Sequence, residues 1–143
     1  MTTIAYKDYT MAYDGLATIG SLITDEDYDK KISIGNTHFF LAGITGDFPD
    51  FIKAYLTEEE PDRQLEVHCF VWNGELLKCA GMEDGDRGIF SYTIPLTRPF
   101  AIGSGQHFAL TAMDMGATAK EAVKMAAKRD VGTGGRIRTF RLK

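Results

Sequence analysis

The sequence predicts an α+β fold built in stacked layers, on two observations. Strand-like segments are followed by a helix, more strands, two helices and a final strand. The central strands carry apolar residues on both faces, so the sheet they form needs cover on each side. With 143 residues, 44% of them hydrophobic and 11% aromatic, the chain has the size of one domain over residues 1–143. It can fill a core without a disulfide or a metal.

Thr3–Tyr6 and Tyr9–Tyr13, around Lys7-Asp8, read as a first strand pair, and Lys31–Ile34 and His38–Ala42, around Gly35-Asn36, as a second. A helix is expected to begin at Asp47, a favourable N-cap, with Pro49 in its first turn and Phe51, Ile52, Tyr55 and Leu56 on its apolar face. Thr57-Glu-Glu-Glu60-Pro61 ends it. Leu65–Trp72 and Glu75–Met82 form a hairpin about Asn73-Gly74, a two-residue turn signal. One face of its first strand carries Leu65, Val67, Cys69 and Val71, and the other Phe70 and Trp72. Ile89–Ile94 follows as a strand after Asp84-Gly85. Gln106–Met115 reads as a helix closed by Gly116, and Thr118-x-x-Glu121 is the capping box of a second one that buries Ala119, Ala122, Val123, Ala126 and Ala127. The tail Arg136–Lys143 alternates Arg with apolar residues and reads as a closing strand.

A formal charge of -4 excludes nucleic acid as a principal partner, because phosphate binding needs a basic surface. The first residues lack a basic, then apolar, leader, and no apolar run is long enough to cross a bilayer, so a cytoplasmic protein away from membranes is expected. A two-residue turn at Asn73-Gly74 would set Cys69 opposite Lys78 and turn Cys79 to the other face, giving two separate buried thiols. His38, His68 and His107 are scattered over different elements, and no metal or cofactor is expected.

Singly, the polar candidates specify no site. A Thr after an initiator Met is common, Asp14-Gly15 is a turn pair, and Gly103-Ser104-Gly105 lacks the spacing of a nucleophile elbow. The Gly-rich run from Asp130 to Gly135 lacks the Lys of a phosphate-cradling loop. Their order is more specific. Thr2-Thr3-Ile4, Tyr13-Asp14-Gly-Leu-Ala17-Thr18-Ile-Gly20, Lys30-Lys31-Ile32, Ala42-Gly43, Ala101-Ile-Gly-Ser104-Gly105 and Arg129-Asp130-x-x-Thr133-Gly134-Gly135 span nearly the whole chain. Together they resemble the β-type proteasome subunits and the bacterial proteasome-like peptidase that works with an unfoldase ring.

That resemblance implies a four-layer αββα sandwich of the N-terminal-nucleophile hydrolase type, and a threonine-type endopeptidase. It implies Thr2 as nucleophile once Met1 is removed, Asp14 and Lys31 as the charged pair beside it, and the Gly43 amide as oxyanion donor. Ser104, Asp130 and Thr133 would form the polar network around the free amine, with Thr133 where the family usually has Ser. Thr18 would contact the substrate backbone, while Ala17, Asp29, Ser33, Leu41 and Thr45 would line the pocket for the residue before the scissile bond. The chemistry is coherent. A threonine hydroxyl needs a base, and its own terminal amine is one, with an ordinary pKa of about 7.7–8.0. A nearby lysine ammonium would favour the neutral form of that amine.

The resemblance also implies a peptide or unfolded-protein substrate, a homo-oligomeric ring and an ATPase unfoldase partner. Only Thr57–Gln64 separates the first helix from the central hairpin, where the family has a second long helix, so the first helical layer is reduced and double-ring stacking loses a contact element. Phe39, Phe40, Phe48 and Trp72 are candidates for an interface between subunits, or for ordinary core. Two alternatives keep the fold. One is a small-amide amidase or acylase; the other is a non-catalytic binding or assembly module that retains Met1.

Overall fold

The computed structural model describes residues 2–143; Met1, on whose removal the nucleophile assignment depends, lies outside them. The chain opens with β1 (Thr3–Lys7) and β2 (Thr10–Tyr13), joined through Asp8 and Tyr9, which both take positive φ. A short hairpin follows, β3 (Ala17–Ile19) with β4 (Leu22–Asp25). Then come β5 (Lys31–Ile34), β6 (Thr37–Gly43), a 3-10 turn at Thr45–Asp47 and α1 (Phe48–Thr57). The second half holds β7 (Val67–Trp72), β8 (Leu77–Gly81), β9 (Phe90–Thr93), β10 (Phe100–Gly103), α2 (Gln106–Asp114), α3 (Ala119–Arg129) and β11 (Arg138–Arg141).

The strands make a four-stranded sheet in the order β10-β1-β2-β11, a five-stranded sheet β5-β6-β7-β8-β9, and the separate β3-β4 pair. All pairings are antiparallel. Three apolar clusters bind the elements together. Ile4, Tyr6, Met11 and Tyr13 of one sheet meet Phe40, Phe70, Trp72 and Cys79 of the other. Phe39, Leu41, Val67, Cys69 and Val71, on the opposite side of the five-stranded sheet, pack on Phe48, Phe51 and Ile52 of α1. Ala5, Ala12 and Ala101 lie under Ala109, Met113, Ala122, Val123 and Ala126 of α2 and α3, where small residues on the strands let both helices approach closely. The expected apolarity of β7 on both faces thus divides cleanly between two of these clusters.

Several expectations are corrected. The turn after β7 is longer than two residues: Trp72 pairs with Leu77, and Asn73 Oδ1 accepts from the Glu75 and Leu76 amides at 2.9 and 2.8 Å. Cys69 therefore faces Ala80 rather than Lys78. A slip of two preserves the face each side chain occupies, so Cys69 and Cys79 remain separate buried thiols in different clusters. Asp47 does not cap α1 with its side chain; its carboxylate instead accepts from Arg63 Nη1 and the Glu66 amide, both at 2.9 Å. Phe39, Phe40, Phe48 and Trp72 are all core and leave nothing for an interface. Phe108 of α2 is exposed. The capping box at Thr118 and Glu121 is present as read.

Candidate functional site

The first strand pair sets the frame. Ile4 pairs with Tyr13, so Thr3 and Asp14 sit opposite one another just beyond that rung, and the Asp14 amide donates to the Thr3 carbonyl at 3.3 Å. The Asp14 side chain folds back over this end. Its Oδ1 accepts from the Thr3 amide at 3.1 Å and its Oδ2 from the Gly134 and Leu16 amides at 2.9 and 3.4 Å. Asp14 is completely buried, a location a carboxylate tolerates only when its lone pairs are filled. Lys30 supplies the counter-charge: its Nζ stands 2.8 Å from Asp14 Oδ1 and 2.7 Å from Thr2 Oγ1.

The lysine beside Thr2 is thus Lys30, not Lys31. Successive side chains of an extended segment point to opposite sides, so only one of two adjacent lysines can reach the Thr2 hydroxyl. Lys31, in β5, pairs with Phe40 of β6 and lays its ammonium 4.7 Å from the centre of the Phe140 ring. Nothing in the dipeptide distinguishes the two; the deciding fact is where β5 starts, fixed by the Leu41 amide donating to the Lys30 carbonyl at 2.9 Å. Burial pulls the Lys30 pKa below its usual 10.5, and the Asp14 carboxylate opposes that pull without cancelling it.

A second network approaches from the other side of Thr2. The Thr2 N–H donates to Ser104 Oγ at 3.1 Å, and Ser104 Oγ lies 2.5 Å from Asp130 Oδ2. Thr133 Oγ1 donates to the same carboxylate oxygen at 2.6 Å. The single hydroxyl proton of Thr133 is committed there, so in the 2.7 Å contact between Thr3 Oγ1 and Thr133 Oγ1 it is Thr3 that donates. Both chains of donors end on Asp130. Burial raises the pKa of that carboxyl, but the Ser104 and Thr133 hydroxyls and the Gly132 amide overcome burial and hold it below its usual value. Ser104, Asp130 and Thr133 are thus brought together as the sequence leads one to expect.

Two glycines permit close backbone approaches, one of them to Thr2. A Cβ on Gly103, at φ +100°, would stand 2.1 Å from the Thr2 carbonyl oxygen; one on Gly43, at φ +125°, would stand 2.1 Å from the Glu66 carbonyl oxygen. Gly43 and Gly103 line one open cavity of about 350 Å³, together with Glu66, His68, Glu83 and Asp84. The remaining candidates are dispersed. Ala17 and Thr18 are half-buried on β3, Thr45 is exposed in the 3-10 turn, and exposed Ser33 holds His38 Nδ1 at 2.6 Å. Leu41 is wholly buried in the cluster under α1, so it packs core and lines no open surface. Asp29 Oδ1 accepts from the Lys31 amide at 3.0 Å.

No protein-family model matches the sequence, and no curated protein matches it. Solved structures do. BPH of Thiobacillus denitrificans superposes with a TM-score of 0.68 at 18% identity, covering 99% of this chain and 98% of the other. The chain shares its fold with that protein. The same protein in complex with epoxomicin gives a TM-score of 0.69 at 19% identity, over 99% of this chain and 98% of that one. The eukaryotic HslV from Trypanosoma brucei gives 0.72 at 19% identity, over 97% of each chain. The expected α+β class is thereby met. Among the described residues no helix is long and apolar enough to cross a membrane.

Proposed function

We propose that the protein is a threonine-type peptidase that hydrolyses peptide bonds through an acyl-enzyme on Thr2, after removal of Met1. The observation that carries this is the buried Lys30 ammonium, 2.7 Å from Thr2 Oγ1 and anchored on Asp14. A positive charge at that distance favours the alkoxide character a hydroxyl nucleophile needs. With Met1 gone, the Thr2 nitrogen becomes an α-amine held by Ser104 and, through it, by Asp130. That amine takes the Oγ1 proton as the oxygen attacks the carbonyl carbon, and the Gly43 amide donates to the resulting oxyanion. Collapse breaks the C–N bond and returns the proton to the leaving amine. Water, activated by the same α-amine, then hydrolyses the ester and restores the Thr2 hydroxyl.

In this reading the chain is a single domain over residues 1–143. The same reading takes its three clusters as the cores between the layers of a four-layer αββα sandwich of the N-terminal-nucleophile hydrolase type, with α1 as a thin first helical layer. The similarity to BPH in complex with epoxomicin supports an epoxyketone as the probe. Ala17 and Thr18 on β3 and Thr45 beyond Gly43 remain the proposed contacts for the substrate before the cleaved bond. A homo-oligomeric ring, a cytoplasmic location and an ATPase unfoldase belong to the same proposal and rest on the resemblance.

The test is intact mass before and after incubation with epoxomicin. Loss of Met1 with a single adduct, absent in Thr2→Ala, is expected. A protein that retains Met1 and takes no adduct would overturn the peptidase and leave a binding module on this fold. Peptide and small-amide panels then separate a peptidase from an amidase.

A further inference from the structure

The cavity floored by Gly43 and Gly103 does not end beside Thr2. It shares His68 and Glu83 with a second open cavity of about 410 Å³, lined also by Phe90, Tyr92 and Phe100. The two cavities adjoin through these shared residues as one groove. His68 is what joins them: it pairs with Gly81 across β7 and β8, and a Cβ on Gly81 would stand 2.4 Å from the His68 ring. The missing side chain lets the imidazole lie flat on β8, where it meets the Phe90 ring edge-on at 5.6 Å. Phe90 in turn stacks on Tyr92 at 5.9 Å.

The two ends of the groove differ in chemistry. The cavity that includes Gly103, which abuts the Thr2 carbonyl, is lined by Glu66 and Asp84; Glu83 is shared by both, and the second cavity adds the rings of Phe90, Tyr92 and Phe100. Among the described residues no lysine or arginine lines either cavity. We propose that this groove binds the part of a peptide substrate that follows the cleaved bond, taking a lysine or arginine next to the bond and an aromatic side chain beyond it. The proposal deepens the peptidase reading, on which the position of the bond rests. Carboxylates facing an otherwise uncharged wall attract a cationic side chain and repel an acidic one. The ring ladder of His68, Phe90 and Tyr92 offers faces and edges to a further aromatic group. An extended peptide, with side chains alternating along it, spans both ends without bending.

Two measurements separate the groove from the chemistry. In the first, internally quenched peptides differing only in Arg or Glu after the cleaved bond are hydrolysed by wild type and by the triple variant Glu66→Gln, Glu83→Gln, Asp84→Asn. Wild type is expected to prefer Arg by about tenfold in kcat/KM, with the ratio near one in the variant and weaker in high salt. A coumarin amide, with no residue after its cleaved bond, is expected to turn over equally in both. Equal ratios in wild type and variant overturn the proposal. In the second, a fluorescent Arg-Ala-Phe peptide is titrated by anisotropy, with no turnover needed. Binding unchanged in Thr2→Ala and weakened several-fold in the triple variant supports the groove even if no peptide is cleaved, in which case the hydrolase reading alone fails. Equal binding by wild type and triple variant sinks the groove whether or not the protein is an enzyme.

Discussion

Lys30 Nζ is closer to Thr2 Oγ1, at 2.7 Å, than to its own ion-pair partner Asp14, at 2.8 Å. Its neighbour Lys31 is occupied on the Phe140 ring. The two lysines are therefore expected to separate in experiment. Lys30→Met should lower kcat by at least about 10²-fold, as loss of a charge at the reacting oxygen does. It should also destabilise the fold by about 3–5 kcal/mol, because Asp14 is left buried and unpaired. Lys31→Ala forfeits one cation–π contact, worth about 0.5–1 kcal/mol, and should leave turnover within about twofold. Steady-state kinetics with urea unfolding of both variants checks this; equal losses in the two would refute the assignment of Lys30.

The lowered pKa of Lys30 fixes the direction of an alkaline effect. Epoxomicin labelling, scored by mass, should fall on the alkaline side before pH reaches the usual lysine value of 10.5. Lys30→Arg, which stays charged, should remove that fall if the guanidinium is accommodated. For stability, the unfolded chain holds the Lys30 proton between the folded pKa and 10.5, so the Lys30 contribution rises with pH across that window. A labelling profile identical in wild type and Lys30→Arg would detach Lys30 from the nucleophile.

Asp130 makes the opposite, acidic prediction. Its folded pKa lies below the usual 3.8, so its contribution is fully present above the unfolded value and is lost as pH falls through the folded one. Urea midpoints of wild type and Asp130→Asn should differ by a constant amount above about pH 5 and converge below about pH 4. A gap that persists into strong acid would mean that geometry rather than charge sets the role of Asp130.

Much of this architecture was legible beforehand, for identifiable reasons. The two faces of β7, the capping box at Thr118 and Glu121, and the first strand pair all follow from periodicity and caps acting over a few residues. Polar residues recurring in a family-like order led to Thr2, Asp14, Ser104, Asp130 and Thr133, which the fold does assemble. What escaped depends on register or on distant partners. The choice between Lys30 and Lys31 turns on one strand boundary. Asp47 looks like a helix cap until Arg63 and Glu66 compete for its carboxylate. The β3-β4 hairpin exposes Ile19, Leu22 and Ile23, so it has no buried face to announce it. The strand β10 is short, and ends in the Gly103-Ser104-Gly105 run, which reads as a turn.

Gly103, against the Thr2 carbonyl, yields a steric prediction. Gly103→Ala puts a methyl onto the Thr2 carbonyl and holds a non-glycine residue at φ +100°. Strain of this kind costs about 1–3 kcal/mol, and relief by moving Thr2 should abolish labelling. Gly20→Ala, on an open turn at φ +59° with nothing within 4 Å of its Cβ, carries backbone strain alone. Thermal unfolding and adduct formation measured together should therefore show both variants destabilised, but only Gly103→Ala unlabelled.

The thiols provide a check on the burial of β7 and β8. Burial raises the pKa of both Cys69 and Cys79, which lie in clusters on opposite faces of their sheet. Neither should react with a thiol reagent in the native protein, both should react in denaturant, and mild oxidant should form no intramolecular disulfide. Rapid native labelling of either one would contradict its burial in the core.

The Thr2 centre draws on residues 2, 14, 30, 104, 130 and 133, so its last members are synthesised more than a hundred residues after its first. A nascent chain that has emerged only through β9 carries the hydroxyl and its lysine but neither Ser104 nor Asp130. In the proposed peptidase the order of translation would act as a safety catch: until Asp130 and Thr133 have been added, the centre lacks the groups that would hold its base.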